Sequence, residues 1–161
     1  MSFSEFTQRD YEVIARNYAE LKEAARKRCS GEQELAVVQK AFDFANEAHK
    51  NVRRRSGEPY ILHPIAVAKI VVNDIGLGYK SIAAALLHDV VEDTDYTTED
   101  IENIFGPKIA QIVDGLTKIS GGIFGDQASA QAENFKKLLL NMSDDIRVIL
   151  IKICDRLHNM R

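Results

Sequence analysis

Apolar positions recur along this chain at helical spacing almost throughout. Ile14, Tyr18, Leu21 and Ala25 fall at i, i+4, i+7 and i+11, which draws one stripe down a first helix. Ser30-Gly31-Glu32-Gln33 has the form of a capping box and predicts a second helix running to about Lys50. Residues 51–60 are polar and contain Gly57 and Pro59, so a loop is expected there. Pro64 then suits the first turn of a third helix, where a missing N–H costs nothing, and Gly76 and Gly78 end it. A fourth helix is expected over residues 81–92, a short fifth capped by Thr97 or Thr98, and a sixth beyond Gly106-Pro107. Residues 120–128, with Gly121, Gly122 and Gly125, predict a loop. Two helices follow, the last opening near Ser143-Asp144. No segment alternates with period 2. The expected fold is all-α, a single non-bundle domain of about eight helices.

Two stretches are apolar on all sides. Residues 82–91 (IAAALLHDVV) hold eight apolar residues in ten, with His88 and Asp89 in their midst. Such a helix belongs in the centre of a domain. Residues 146–157 repeat the arrangement, with Ile146, Val148, Ile149, Leu150, Ile151, Ile153, Cys154 and Leu157 around Asp155. An unpaired buried carboxylate costs on the order of several kcal/mol. A divalent cation would partner both carboxylates at once.

Composition narrows the setting. The 161 residues suit one domain, and 45% hydrophobic with 28% charged residues is ordinary for a globular protein. A net charge of -3 argues against broad, charge-driven nucleic-acid binding. Cys29 and Cys154 lack metal-site spacing and suit a reducing compartment. No apolar run approaches the ~20 residues of a membrane span. The opening MSFSEFTQRD does not read as a signal peptide, so the cytoplasm is expected.

The candidate chemistry comes in three layers. His63, His88, Asp89 and Asp155 form a mixed N/O donor set, suited to manganese or iron, or to zinc or magnesium, and without the thiolates of a structural zinc site. Glu92 lies four residues after His88 and Asp93 four after Asp89, which sets a carboxylate pair one turn along the same face. That pair could orient water or move its proton. Arg53, Arg54, Arg55, Ser56 and Gly57 form a basic loop ahead of His63, and guanidinium forks suit phosphate oxygens. Each feature also has a bland reading. His-Asp pairs arise by chance, an arginine run is usually a solvated surface, and Glu92-Asp93 could be a plain helix end. His49 is expected on the solvent side of the second helix, with no role. His158 is either a support for the site or a structural hydrogen-bonding residue. Tyr60 anchors its loop on the bland reading, and Cys154 is expected in the core.

Residues 55–64 (RSGEPYILHP), 87–94 (LHDVVEDT), 113–118 (VDGLTK) and 155–161 (DRLHNMR) together resemble the N-terminal hydrolase domain of the RelA/SpoT family. That family sits within the HD-domain phosphohydrolases, and the likeness covers about residues 30–161. The resemblance implies hydrolysis of the 3′-diphosphate of (p)ppGpp to GDP or GTP and pyrophosphate, with Mn2+, in the bacterial stringent response. It implies His63, His88, Asp89 and Asp155 as metal ligands and Glu92 and Asp93 as the acidic pair needed for hydrolysis. It implies Arg54, Arg55 and Ser56 as the nucleotide-contacting loop and Asn159 near the ribose; with those positions set, the Tyr60 side of the loop is expected to help form the guanosine pocket. Cys154 departs from the family's frequent Ala. The resemblance also implies that residues 1–161 are the N-terminal hydrolase piece of a longer bifunctional protein, a GTP pyrophosphokinase, whose synthetase and regulatory domains are absent here. Two other readings stay open: another HD-type nucleotide phosphohydrolase, and a regulatory module that binds (p)ppGpp without cleaving it.

Overall fold

The computed structural model describes residues 2–123 and 146–159, with 118–123 and 159 as backbone alone. The described residues form seven α-helices, a π-helical turn and a ribbon of two short strands. The fold is all-α, as expected. The seventh expected helix, the start of the eighth and most of the expected 120–128 loop lie outside the described residues.

Helix α1 (Gln8–Arg26) opens on a capping box. Thr7 Oγ1 accepts from the Asp10 N–H, and Asp10 Oδ2 accepts from the Thr7 N–H at 2.8 Å. Its buried side chains are Ile14, Tyr18, Leu21 and Ala25, the stripe read from the sequence. Tyr18 stacks on Phe42 of α2 (Glu32–Ala48) at 3.8 Å and donates its hydroxyl hydrogen bond to Gln39. The expected box at the head of α2 is not formed as read. Gly31 is the cap and offers no side chain, while Glu34, one residue beyond Gln33, accepts from the Ser30 N–H.

The expected loop over residues 51–60 carries strand β2 (Val52–Arg53), paired antiparallel with β1 (Ser2–Phe3). Two residues are too few for an alternating pattern to register. Helix α3 (Leu62–Ile70) runs into the π-helical turn Val71–Ile75, closed by the Gly76 N–H on the Val71 carbonyl at 2.9 Å. Gly76 stops it in the left-handed region, at φ 80°, where a glycine has no Cβ to clash.

Helix α4 (Tyr79–Asp93) is the axis of the molecule. Every residue from Ser81 to Val90 is buried, and the helix packs against α2, α3 and two later helices, α6 (Pro107–Ile123) and α7 (Ile146–Asn159). Helix α5 (Thr98–Phe105) is capped by Thr97 in a second box with Asp100. Helix α6 (Pro107–Ile123) continues through residues 120–123, where a loop was expected. Glycine inside a helix costs only about 1 kcal/mol against alanine, so Gly121 and Gly122 do not by themselves end one. Helix α7 (Ile146–Asn159) is amphipathic. Val148, Ile151 and Cys154 are buried, whereas Ile146, Ile153 and Leu157 are exposed among the described residues, so the apolar ring expected around Asp155 is only half used.

Candidate metal centre

Three elements far apart in the sequence bring their polar side chains to one buried point. His63 comes from the first turn of α3, His88 and Asp89 from the middle of α4, and Asp155 from α7. All four are buried at 6% exposure or less. One donor atom each from His63, His88 and Asp155 lies within 4.8 Å of the others. His63 Nε2 is 2.7 Å from Asp155 Oδ1, and His88 Nε2 is 3.7 Å from the same oxygen. Asp89 stands at the edge of this group, with Oδ1 3.1 Å from His88 Nε2 and Oδ2 4.0 Å from His63 Nε2.

The donor chemistry fits a divalent cation. His88 Nδ1–H donates to the Ala85 carbonyl at 2.8 Å, and a carbonyl only accepts, so the proton of the neutral ring is on that nitrogen. The lone pair on Nε2 then faces the Asp89 and Asp155 carboxylates inside the protein. A positive charge is needed among them, either a proton on the ring or a bound cation. Without a cation, burial opposes charge on His88, but Asp89 and Asp155 outweigh it and push the imidazole's proton affinity well above its ordinary value. Burial likewise opposes charge on both aspartates. The histidines, together with Lys152 at Asp155, override it and hold both carboxyls well below the usual range.

A second set of groups fixes these side chains. Tyr60 donates its hydroxyl hydrogen bond to Asp89 Oδ2 at 3.1 Å, and burial with the nearby carboxylates pushes that phenol well up from its ordinary value. Lys152, itself buried, donates to Asp155 Oδ2 at 3.1 Å. His158 Nδ1 lies 2.7 Å from His63 Nδ1, so of the two roles weighed for His158 the structure shows a contact with the site. Glu92 and Asp93 close α4 one turn beyond His88 and Asp89, on the wall of a cleft of about 550 Å3 that also includes His49, Thr94 and Asp95.

Two residues differ from their sequence reading. His49 is not on a solvent face: it is 1% exposed and caps the end of α2 beneath Tyr60. Its position four residues after Ala45 continues the buried stripe of Leu35, Val38, Phe42 and Ala45, a signal that could have found it. Lys152 was missed in the same way. It lies four residues after Val148 and three before Asp155, on the inward face of α7.

The basic loop divides. Arg53 is structural: it donates to Asp10 Oδ2 at 2.7 Å, to the Glu5 carbonyl at 2.8 Å and to the Gly57 carbonyl at 2.9 Å, and it lies over the Phe6 ring. Arg54 is 28% exposed with Nε 4.0 Å from Glu58 Oε1, while Arg55 and Ser56 are exposed. The Asn159 side chain lies outside the described residues.

A family model described as "HD domain" matches residues 41–161. The chain is 48% identical over 130 residues to the bifunctional (p)ppGpp synthase/hydrolase SpoT of Escherichia coli K12, covering 81% of this chain and 18% of that protein. It is 47% identical over 126 residues to the GTP pyrophosphokinase rsh of Brucella melitensis, covering 78% and 17%. The chain thus spans less than a fifth of the length of these curated relatives. A solved structure of a metazoan ortholog of SpoT, a protein said to hydrolyse ppGpp and to play a role in starvation responses, is 33% identical, with a TM-score of 0.60, over 78% of this chain and 69% of that one.

Proposed function

Because the chain belongs to the HD-domain family, in its RelA/SpoT branch, we propose that it is a manganese-dependent (p)ppGpp 3′-pyrophosphohydrolase of the bacterial stringent response. The substrate would be cleaved to GDP or GTP and pyrophosphate. The observation that carries this reading is the buried convergence of His63, His88 and Asp155, with Asp89 beside them and Glu92-Asp93 one turn away. The names of the relatives support it, since the E. coli protein is called a (p)ppGpp synthase/hydrolase and the metazoan ortholog is said to hydrolyse ppGpp. The parent protein would then be a bifunctional synthetase/hydrolase in the cytoplasm. No described helix is long and apolar enough to cross a membrane.

His63, His88, Asp89 and Asp155 would hold the cation, and two imidazoles with two carboxylates suit Mn2+. Such a cation supplies positive charge against phosphoryl oxygens and acidifies water. The chain's own residues do the rest. Tyr60 and Lys152 each occupy one oxygen of Asp89 and Asp155 and so fix the direction of the other. Glu92 and Asp93 orient the attacking water and take its proton. Arg54, Arg55 and Ser56 meet the phosphates, Tyr60 borders the guanosine, and Asn159 meets the ribose.

Release of pyrophosphate from ppGpp by this chain, dependent on Mn2+, is the test. Metal bound without turnover would sink the assignment. Asp89→Ala should abolish both metal binding and activity. Glu92→Ala should keep the metal and lose about 100-fold or more in kcat, the scale of a lost acid–base group.

A further inference from the structure

His49 carries the one side-chain atom that is buried without a hydrogen-bond partner among the described residues, its Nε2. A buried polar atom left unpaired is destabilising, so its surroundings need a reason. Nε2 points at Asp93 Oδ2, 3.4 Å away. The other ring nitrogen, Nδ1, faces the Ala45 carbonyl at 3.2 Å. That carbonyl only accepts, so Nδ1 carries the proton of the neutral ring. Two acceptors, the buried Nε2 and a partly exposed carboxylate oxygen, would then face each other. A hydrogen bond between them needs a proton on one of the two facing atoms.

The ring above it gives the contact a purpose. His49 lies against Tyr60, with centroids 4.9 Å apart and planes tilted by 34°. Tyr60 reaches Asp89 and His49 reaches Asp93, and these two aspartates are one turn apart on the same face of α4. We propose that His49 is a positioning residue for Asp93, and that the His49–Tyr60 ring pair braces two carboxylates of α4, one turn apart, in the orientation hydrolysis needs. This rests on Asp93 acting on the water in the reaction proposed above. The Asp93 side chain is 21% exposed at the end of its helix, and without His49 it would rotate freely into the cleft.

The tests use the whole chain. His49→Leu should lower kcat about tenfold or more, the scale on which lost orienting partners show, with Mn2+ affinity and KM little changed. His49→Gln, whose amide N–H can still donate to Asp93, should recover a good part of it, which a purely space-filling role would not produce. A folded, metal-loaded His49→Leu protein with wild-type kcat overturns the proposal, as does a His49→Gln variant no better than leucine. Nitrogen-15 spectra of histidine-labelled protein test the contact without catalysis. His49 Nε2 should resonate away from a bare acceptor nitrogen and return to that position in Asp93→Ala. A bare Nε2 in the wild type overturns the proposal, and this result decides it if His49→Leu does not fold. Wild-type protein that binds Mn2+ and releases no pyrophosphate would defeat the functional reading instead, and the spectra alone would then judge the contact.

Discussion

Lys152 carries its ammonium inside the molecule, 3.1 Å from an oxygen of Asp155, on a helix whose neighbouring positions are apolar. Removing the ammonium leaves one oxygen of a buried carboxylate without its donor, while His63 and His88 still face Asp155, at a cost of about 1–3 kcal/mol. In the metal-free protein Lys152→Met should therefore lower Tm markedly. Mn2+ seated in the proposed site would give Asp155 a new counter-charge, so the metal-induced rise in Tm should be larger in the variant than in the wild type. Melting curves with and without a chelator read this directly, and an equal or smaller rise would refute it. A second charge acts at the N-terminal side. The hydrogen bond from Arg53, with help from the Thr7 backbone, holds the Asp10 carboxyl down at about 2 from an ordinary 3.8. Because the folded value is depressed, this contact stabilises the fold above the ordinary value and is lost as pH falls toward 2. For a partly exposed pair the contribution is about 1 kcal/mol. Arg53→Ala should lower stability by at least that amount at neutral pH, since its carbonyl and Phe6 contacts go too, and the gap from wild type should narrow under acid by the Asp10 share alone; a gap independent of pH would contradict the assignment. At this scale the sequence was informative where chemistry and burial coincide. His88 and Asp89 announced themselves by standing in an apolar helix. Composition alone could not separate Arg53 from Arg54 and Arg55, because nothing in a run of three arginines says which one the chain folds back upon; only the family resemblance left Arg53 out.

The helices show the same division. The stripe of α1, the Thr97 cap of α5 and the Gly76 stop after α3 were legible because each depends on residues within a turn of one another. The two-residue strands were not, since β2 exists only through Ser2 and Phe3, some fifty residues away. The inner face of α7 was half legible: its apolar residues were evident, but which of them meet the core depends on α3 and α6. Helix α4 carries the site because it is enclosed, and its packing should be unforgiving. Leu87 is wholly buried next to His88, and Leu87→Ala should cost about 2–5 kcal/mol in chemical denaturation. A loss under about 1 kcal/mol would mean that the helix is less tightly enclosed than its burial indicates. Gly76→Ala should also destabilise, because the left-handed backbone disfavours a Cβ and one placed there would lie 3.2 Å from Arg28 Nη2. The expected loss is about 1 kcal/mol or more, read from the same curves.

On the scale of the whole molecule, the site is a junction of three helices, α3, α4 and α7, joined there through polar groups. Helices α3 and α4 are enclosed by the core. Helix α7 rests on it through Val148, Ile151 and Cys154 and presents Ile153 and Leu157 outward among the described residues. A cation seated among His63, His88 and Asp155 would tie this last helix to the other two, and its affinity would become part of the folding free energy. Local opening proceeds from the least secured element. With the cation removed, backbone amides of α7 should exchange with deuterium ahead of those in α4, and a protease should cut near α7 first. Loss of metal would then do more than silence chemistry: it would mark the protein for turnover, beginning at a single helix.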